Sequence, residues 1–279
     1  MKLLLNNLYI VSTPIGNLDD ITLRALEVLK NSDIILCEDT RRSIKLLNHY
    51  KIRKKLISYH KFNEKKKIKD VIEYFKEGKI LSLISDAGTP LLSDPGRLLV
   101  NQCLENNIQI SPIPGVSSIT SALSVSGFKD QFLFYGFLPK TEKELEKVLI
   151  SLSQIKYTQI FFTPSKKINF YIKSFKKFYS GRKILIAKEI TKIHETFIRN
   201  DIDKLKLFKN NVKGELTIVI SENNAKIKNF DEEKIVNKIK KYLKKYSLKD
   251  TVNLILETEK INKKKIYNLC LKLKNEKNY

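Results

Sequence analysis

Five short apolar runs, Leu8–Val11, Ile34–Cys37, Lys55–Tyr59, Ile80–Ile84 and Gln109–Ile113, alternate with stretches whose apolar residues recur at helical spacing. Leu23, Leu26 and Leu29 repeat through residues 21–30, and Ile68, Val71, Ile72 and Phe75 mark one face of residues 68–75. Runs of four or five residues are strand length, and strands that alternate with helices leave few architectures open. The pattern predicts a parallel α/β sheet.

Three of these strands run into loops of one design. After Ile84 come Ser85-Asp86-Ala87-Gly88-Thr89-Pro90 and then Leu91-Leu92-Ser93-Asp94-Pro95-Gly96; after Val11 come Ser12-Thr13-Pro14-Ile15-Gly16; after Ile110 come Pro112, Pro114-Gly115 and Ser117-Ser118. Glycine lets backbone approach a ligand closely, proline stiffens the loop, and open α/β sheets bind small molecules at the carboxyl ends of their strands. The same residues also suit a purely structural double turn. None of the loops has the Gly-x-x-x-x-Gly-Lys-Ser/Thr or Gly-x-Gly-x-x-Gly spacing, so the expected ligand is not held by its phosphates.

Two further groups follow strands. Glu38-Asp39-Thr40-Arg41 can place Arg41 against a phosphate or carboxylate while Glu38 or Asp39 receives a proton; equally, it can cap the next helix and close a local ion pair. His60, with Asn63 and Glu64, can serve as base, hydrogen-bond donor or cap. His49 and His194 lack comparable surroundings.

Downstream, Phe137-Leu138-Pro139 reads as a hinge, followed by strands at Thr158–Phe162, Lys183–Ala187, Glu195–Ile198 and Glu215–Ile220 with long amphipathic helices between them. Beyond residue 226 the pattern is helical only, at Glu232–Tyr246, Leu248–Glu257 and Lys263–Leu273, and the last two suit a helix-turn-helix. Three divisions are therefore expected: 1–136, an α/β domain with the loops and the acidic cluster; 137–225, a second α/β domain completing a cleft; and 226–279, a basic helical tail.

Charge sharpens the expected partner. The 279 residues carry a net charge of +23, with 19 basic against 14 acidic groups in 1–136, 18 against 9 in 137–225 and 16 against 7 in 226–279. A basic surface attracts polyanions, and Lys263, Lys264 and Lys265 at a helix start would welcome an anionic partner. Yet only 7 of 53 basic residues are arginine, and an AT-rich coding sequence produces the same lysine bias. Cys37, Cys103 and Cys270 form no Cys-x-x-Cys pair, which argues against a zinc site or a disulfide framework and fits a reducing cytoplasm. No run approaches the 18 apolar residues of a membrane span.

Thr13-Pro14-Ile15-Gly16-Asn17-Leu18, Glu38-Asp39-Thr40-Arg41, the stretch from Ser85 to Gly96, Phe134 to Pro139, Ala187 to Lys192 and Lys213-Gly214-Glu215-Leu216 together resemble the tetrapyrrole methylase superfamily, specifically its branch that methylates small-subunit ribosomal RNA. The resemblance covers nearly the whole chain. It implies two α/β domains with a cofactor cleft between them and a small C-terminal helical domain. It further implies a cytoplasmic homodimer that transfers a methyl group from S-adenosylmethionine to the 2′-hydroxyl of a cytidine in the decoding region of 16S rRNA, without a metal. The cofactor positions it points to are Pro14, Ile15 and Gly16; Asp86, Ala87, Gly88 and Thr89; Ser117, Ser118 and Ile119; and Phe162 with Thr163. The acceptor side would hold Glu38, Asp39, Arg41 and His60. The chain departs from the family pattern at Thr163, where a glutamate is commoner, and at Lys166-Lys167, where a His-Arg pair is commoner. A corrin-pathway acceptor, or a non-catalytic RNA-binding assembly factor, are the competing readings.

Overall fold

The computed structural model describes residues 5–223, 232–258 and 263–275; for 232–234, 257–258 and 263–265 it describes the helix path alone. Residues 1–223 form one compact unit and residues 224–279 a second.

Strands β1 (Asn7–Val11), β2 (Ile34–Cys37), β3 (Lys55–Ser58), β4 (Leu81–Ile84) and β5 (Gln109–Ile113) make a parallel sheet in the order β3-β2-β4-β1-β5. Helices α1 (Leu23–Asn31), α2 (Thr40–His49), α3 (Glu64–Lys76) and α4 (Arg97–Glu105) connect them. Side chains along the strands alternate between two cores, as a period of two requires. Tyr9, Val11, Ile35, Cys37 and Ile84 pack with Ala25, Val28, Leu29 and Leu47 of α1 and α2, whereas Leu8, Ile34, Leu36, Leu81 and Leu83 pack with Val71, Phe75, Leu99 and Cys103 of α3 and α4. The inner strands β1, β2 and β4 are buried on both faces, which is why they read as apolar runs, whereas the edge strands β3 and β5 are partly exposed and carry polar residues. Local signals set the helix ends: Thr22 caps α1 by accepting from the Ala25 N–H at 3.1 Å, and Asp39 caps α2 by accepting from the Arg41 N–H at 2.9 Å.

The second sheet has the order β6-β7-β10-β8-β9, from β6 (Phe132–Phe137), β7 (Thr158–Pro164), β8 (Lys183–Lys188), β9 (Thr196–Asp201) and β10 (Glu215–Ile220). Only β6 and β7 run parallel; β7-β10, β10-β8 and β8-β9 are antiparallel. Two sequence expectations change here. Residues 132–137 are a strand of this sheet, so the expected division at 136/137 falls inside β6. Helices lie between the early strands only, α6 (Glu142–Ser153) and α7 (Ile168–Phe178), while β8, β9 and β10 follow one another without an α-helix. β8 and β9 are antiparallel neighbours, which need no helical crossover, and the connection from β9 to β10, which lies on the other side of β8, carries only a short 3-10 turn at Ile202–Lys204.

One face of this sheet is covered by α6 and α7 through Leu145, Leu149, Phe161, Ile172 and Phe175. The other face places Ile160, Leu185, Ala187 and Val219 against Ile15, Ile119 and Ala122, the latter two from α5 (Ser118–Ser124). That shared core joins the two sheets and leaves a cleft at the carboxyl ends of β1, β4 and β5.

In the second unit, α8 (Glu232–Leu243), α9 (Leu248–Thr258) and α10 (Lys263–Asn275) pack around Ile239, Val252, Ile255, Ile266 and Cys270. The Ser247 hydroxyl accepts from the Asp250 N–H at 3.2 Å and closes the start of α9. The side chains of Lys263, Lys264 and Lys265, expected to face an anionic partner, lie outside the described residues.

Phe161 is fully buried and stacks within 5.9 Å of Phe175 and 6.5 Å of Tyr179. Replacing it with alanine is expected to cost roughly 3–5 kcal/mol in urea unfolding, because the aromatic cluster cannot collapse around the void.

Candidate functional site

The three ligand loops are bolted to one another. Thr13 and Gly88 exchange backbone hydrogen bonds, N–H to O at 2.9 Å in each direction, and form an isolated antiparallel bridge beyond the ends of parallel β1 and β4. The hydroxyls of Ser12 and Thr89 lie 3.0 Å apart, and the Thr89 hydroxyl donates to the Val116 carbonyl at 3.2 Å, which draws in the loop after β5. Gly88 has φ +80°, and a Cβ there would sit 3.3 Å from Ile15 Cγ2. Leu91 and Ser93 also have positive φ, +72° and +74°. Such strain persists only where surrounding contacts over-determine it, and it is a common property of ligand loops.

A cleft of about 400 Å³ opens between these loops and the second sheet. Ile15 lines it from the first loop, Asp86, Ala87, Gly88 and Thr89 from the second, and Ser117, Ser118 and Ile119 from the third. Phe162 and Thr163 line it from β7. Pro14 and Gly16 do not. A Cβ on Gly16 would run into Lys192 Cγ and stand 2.8 Å from the Thr191 hydroxyl, so that glycine serves the contact between the first loop and the turn after β8. Thr163 is 3 % exposed and its hydroxyl has no hydrogen-bond partner within the protein. A buried hydroxyl without a partner costs free energy, and a polar ligand in the cleft is the natural source of one.

A second basin of about 310 Å³ adjoins the first, lined by Glu38, Asp39, His60, Lys61, Phe62 and Asp86. Glu38 and Asp86 line both. Asp39 and Arg41 take the local role: Arg41 Nε and Nη2 donate to the two Asp39 carboxylate oxygens at 3.0 and 2.7 Å, and the Arg41 side chain is 87 % exposed. The cation in the cleft is Arg42 instead, with Nη1 3.3 Å from Asp86 Oδ2. Helical geometry separates the two arginines. The buried face of α2 carries Ser43 and Leu47; Arg42 is about 100° away from Ser43 and Arg41 about 200°. That phase was available in the sequence.

His60 belongs to the same wall. Its N–H donates to Asn63 Oδ1 at 2.8 Å, Asn63 Nδ2 donates to the Ser58 carbonyl at 3.0 Å, and the Phe62 N–H donates to His60 Nδ1 at 3.3 Å. With Nδ1 accepting, the neutral ring carries its proton on Nε2 and can offer a donor there.

Glu38, Asp86 and Asp94 line the first basin together, and Asp39 lines the second. Burial pushes the Glu38 carboxyl above its ordinary value, with Asp86 adding to the shift and His60 and Arg42 opposing it. Burial likewise pushes Asp94 up to about 6, reinforced by Glu38 and opposed by a Ser85 hydrogen bond. Asp39 moves the other way, to about 2, because Arg41 donates to it. Asp94 lines the cleft yet was absent from the expected site, since its titration depends on burial that the sequence does not display. Ile190, Gly214, Glu215, Leu216 and Thr217 also line the cleft from the second sheet. The motifs Ala187 to Lys192 and Lys213 to Leu216 had flagged those segments without a role.

A two-sheet α/β protein with a ligand cleft at the strand ends is thus defined, and comparison with known proteins narrows the class. A family model described as Tetrapyrrole (Corrin/Porphyrin) Methylases matches residues 7–206. The ribosomal RNA small subunit methyltransferase I of Rickettsia prowazekii is 48% identical over 225 residues, 79% of this chain and 80% of the relative. That of Buchnera aphidicola is 40% identical over 272 residues, 95% and 96% of the two chains. Among solved structures, the methyltransferase CobJ aligns with TM-score 0.59 at 16% identity, covering 77% of this chain and 94% of its own. A Thermus thermophilus uroporphyrin-III C-methyltransferase complexed with S-adenosylhomocysteine aligns with TM-score 0.56 at 15% identity, covering 77% and 97%. The chain belongs to the tetrapyrrole methylase family, in the group named ribosomal RNA small subunit methyltransferase I.

Methyl transfer from S-adenosylmethionine is the chemistry of this family, and the residues present suit that donor. The cleft has the volume of a small-molecule site, apolar walls at Ile15, Ile119, Phe162 and Leu216, and the unpartnered Thr163 hydroxyl among a few polar groups.

The raised Asp94 pKa makes a stability prediction. A carboxyl whose folded pKa lies above the unfolded value destabilises the fold as pH rises through the window between them, here from 3.8 to about 6. Asp94→Asn is expected to exceed the wild type in urea stability at pH 7 by about 1–2 kcal/mol, with the difference vanishing below roughly pH 4. A variant no more stable than wild type at pH 7 would show that Asp94 ionises freely.

Proposed function

We propose that this chain methylates the 2′-hydroxyl of a cytidine in the decoding region of 16S rRNA, using S-adenosylmethionine as donor, and that it does so as a cytoplasmic homodimer. The observation that carries the reading is the pair of joined basins: one apolar-walled and loop-cradled, the other polar and open, with Glu38 and Asp86 as their common wall. The names of the 48% and 40% identical relatives support an rRNA acceptor. Net charge of +23, highest in density toward the C-terminus, supports a polyanionic one.

When bound, S-adenosylmethionine supplies an activated methyl group on a sulfonium. The protein's task is to align the acceptor oxygen, exclude water and take one proton. The main chain of the Asp86–Thr89 loop and the third loop hold the donor side, and Phe162 closes it from β7. Glu38 reaches both basins and has a pKa raised by burial, so it is the group suited to accept the hydroxyl proton; Asp39, saturated by Arg41, is a weak base. Arg42 fixes Asp86, and the amide N–H of Asp39 donates to Asp86 Oδ1 at 3.1 Å, so the shared wall is rigid. His60 offers an Nε2 donor to the ribose or its phosphate.

Mass analysis of nucleosides from small subunits or extracted 16S rRNA incubated with protein and donor tests the reaction. Expected is one added 2′-O-methylcytidine; a folded, donor-binding protein that leaves RNA unmethylated would sink it. Gly88→Val is expected to abolish donor binding in calorimetry while the protein stays folded, because φ +80° and the nearby Ile15 leave no place for a branched side chain. Glu38→Gln should lower single-turnover rate by roughly 10²–10⁴-fold and remove the loss of rate that wild type shows as pH falls through the raised Glu38 pKa. An unchanged pH profile would assign the proton to another group.

A further inference from the structure

Phe62 is 90% exposed, although it lies in one of the most firmly held turns of the molecule. The turn residues His60 to Asn63 follow β3, and Asn63 fastens them from both sides, as described above; the Asn63 and Glu64 N–H groups also both donate to the His60 carbonyl at 2.9 Å. Exposure of this ring therefore does not come from a loose loop. Its edge-on neighbour is His60, with ring centroids 6.1 Å apart and planes 64° apart, which leaves the face of the phenyl ring uncovered. The ring borders the open basin that shares Glu38 and Asp86 with the donor cleft.

The surroundings of that ring are cationic. Lys61, Lys65 and Lys66 are exposed and take part in no ion pair among the described residues, and Lys69 follows one turn along α3. A fixed, uncovered aromatic face beside unpaired lysines is the arrangement that binds single-stranded nucleic acid: the ring stacks a base and the cations neutralise the adjoining phosphates. A lone exposed phenylalanine elsewhere on a surface carries no such meaning. Here position decides, because Phe62 lines the same basin as Glu38 and Asp86, the wall at which the acceptor ribose is proposed to sit.

We propose that Phe62 is a stacking platform for the base of the acceptor nucleotide, with Lys61, Lys65 and Lys66 holding the flanking phosphates. The inference rests on the RNA-acceptor reading above and adds how the nucleotide is held. Stacking on Phe62 would keep the base out of its own helix and present the 2′-hydroxyl to Glu38, so the residue positions substrate and takes no part in proton transfer.

The chain contains no tryptophan, so Phe62→Trp installs a single fluorescent reporter at the proposed platform. Titration with the small ribosomal subunit or its extracted 16S rRNA is expected to quench that emission, with affinity close to wild type. Phe62→Leu, equally apolar but without a π face, should weaken RNA binding by about tenfold or more, while donor binding and thermal stability stay at wild-type values. Phe62→Tyr should restore the binding. RNA bound at wild-type affinity by Phe62→Leu, or bound by Phe62→Trp without a change in emission, would overturn the platform and leave the rRNA reading intact. Failure of the wild type itself to bind either form of the RNA would overturn both.

Discussion

The two hydrogen bonds between Thr13 and Gly88 are the constraint on which the site depends. Parallel strands diverge into separate loops once their ladder ends, and nothing in a parallel sheet obliges those loops to touch. Here β1 and β4 are neighbours, and a reciprocal pair of 2.9 Å bonds extends their association past the sheet in antiparallel sense. The Thr13 hydroxyl adds a bond to the Ser85 carbonyl at 3.2 Å. With Ser12, Thr89 and Val116 linked in turn, the three loops act as one rigid wall. A pre-organised wall spends little conformational entropy when a ligand arrives.

Strand order then divides the labour. In the order β3-β2-β4-β1-β5, the loops after β4, β1 and β5 are adjacent and line the apolar-walled cleft, while those after β2 and β3 are adjacent on the other side and bring Glu38 and His60 to the open basin. β4 sits at the junction, and its loop supplies Asp86 to both. With Glu38, that carboxylate borders both basins, and it is held by the Asp39 N–H on one side and the Arg42 guanidinium on the other. Burial is the main cause that raises the proton affinity of Glu38 and of Asp94, Asp86 adds to both shifts, and Arg42 opposes the one at Glu38.

The first sheet was legible in the sequence because burial on both faces wrote β1, β2 and β4 as apolar runs, with glycine and proline marking the loops after β1, β4 and β5. β6 was not, since Phe132–Phe137 lies at a sheet edge and leaves Phe132, Tyr135 and Phe137 partly exposed, so it reads as an aromatic stretch leading to a proline. The mixed direction of the second sheet was hidden for a different reason: pairing sense is a property of where strands meet, and β10 slots between β7 and β8, out of chain order. At the site, the three loops were readable from their glycine, proline and hydroxyl residues and the positions within them came from the family resemblance, whereas the choice between Arg41 and Arg42 needed the phase of α2 and the place of Asp94 in the cleft needed its burial. Gly16 was misleading in a physical way. A glycine demanded by close approach looks the same in sequence whether the approaching partner is a ligand or, as here, the Thr191–Lys192 turn.

That turn explains why the second sheet is part of the site rather than a cover for it. Lys192 Nζ lies 3.1 Å from both Glu189 Oε1 and Glu215 Oε2, the Glu215 N–H donates to Glu189 Oε1 at 2.9 Å, and the Asn17 N–H donates to the Thr191 hydroxyl at 3.0 Å. The same short segment ties β8 to β10 and both to the first loop of the parallel sheet. Glu189 and Thr191 hold positive φ values of +51° and +65° to do so, a cost that only these several bonds together can offset. Ile190, between them, turns inward to line the cleft beside Ile15 and Ile119. The polar network thus reaches the cleft at Glu215 and carries Ile190 into its apolar wall, so one segment both joins the two sheets and lines the space between them.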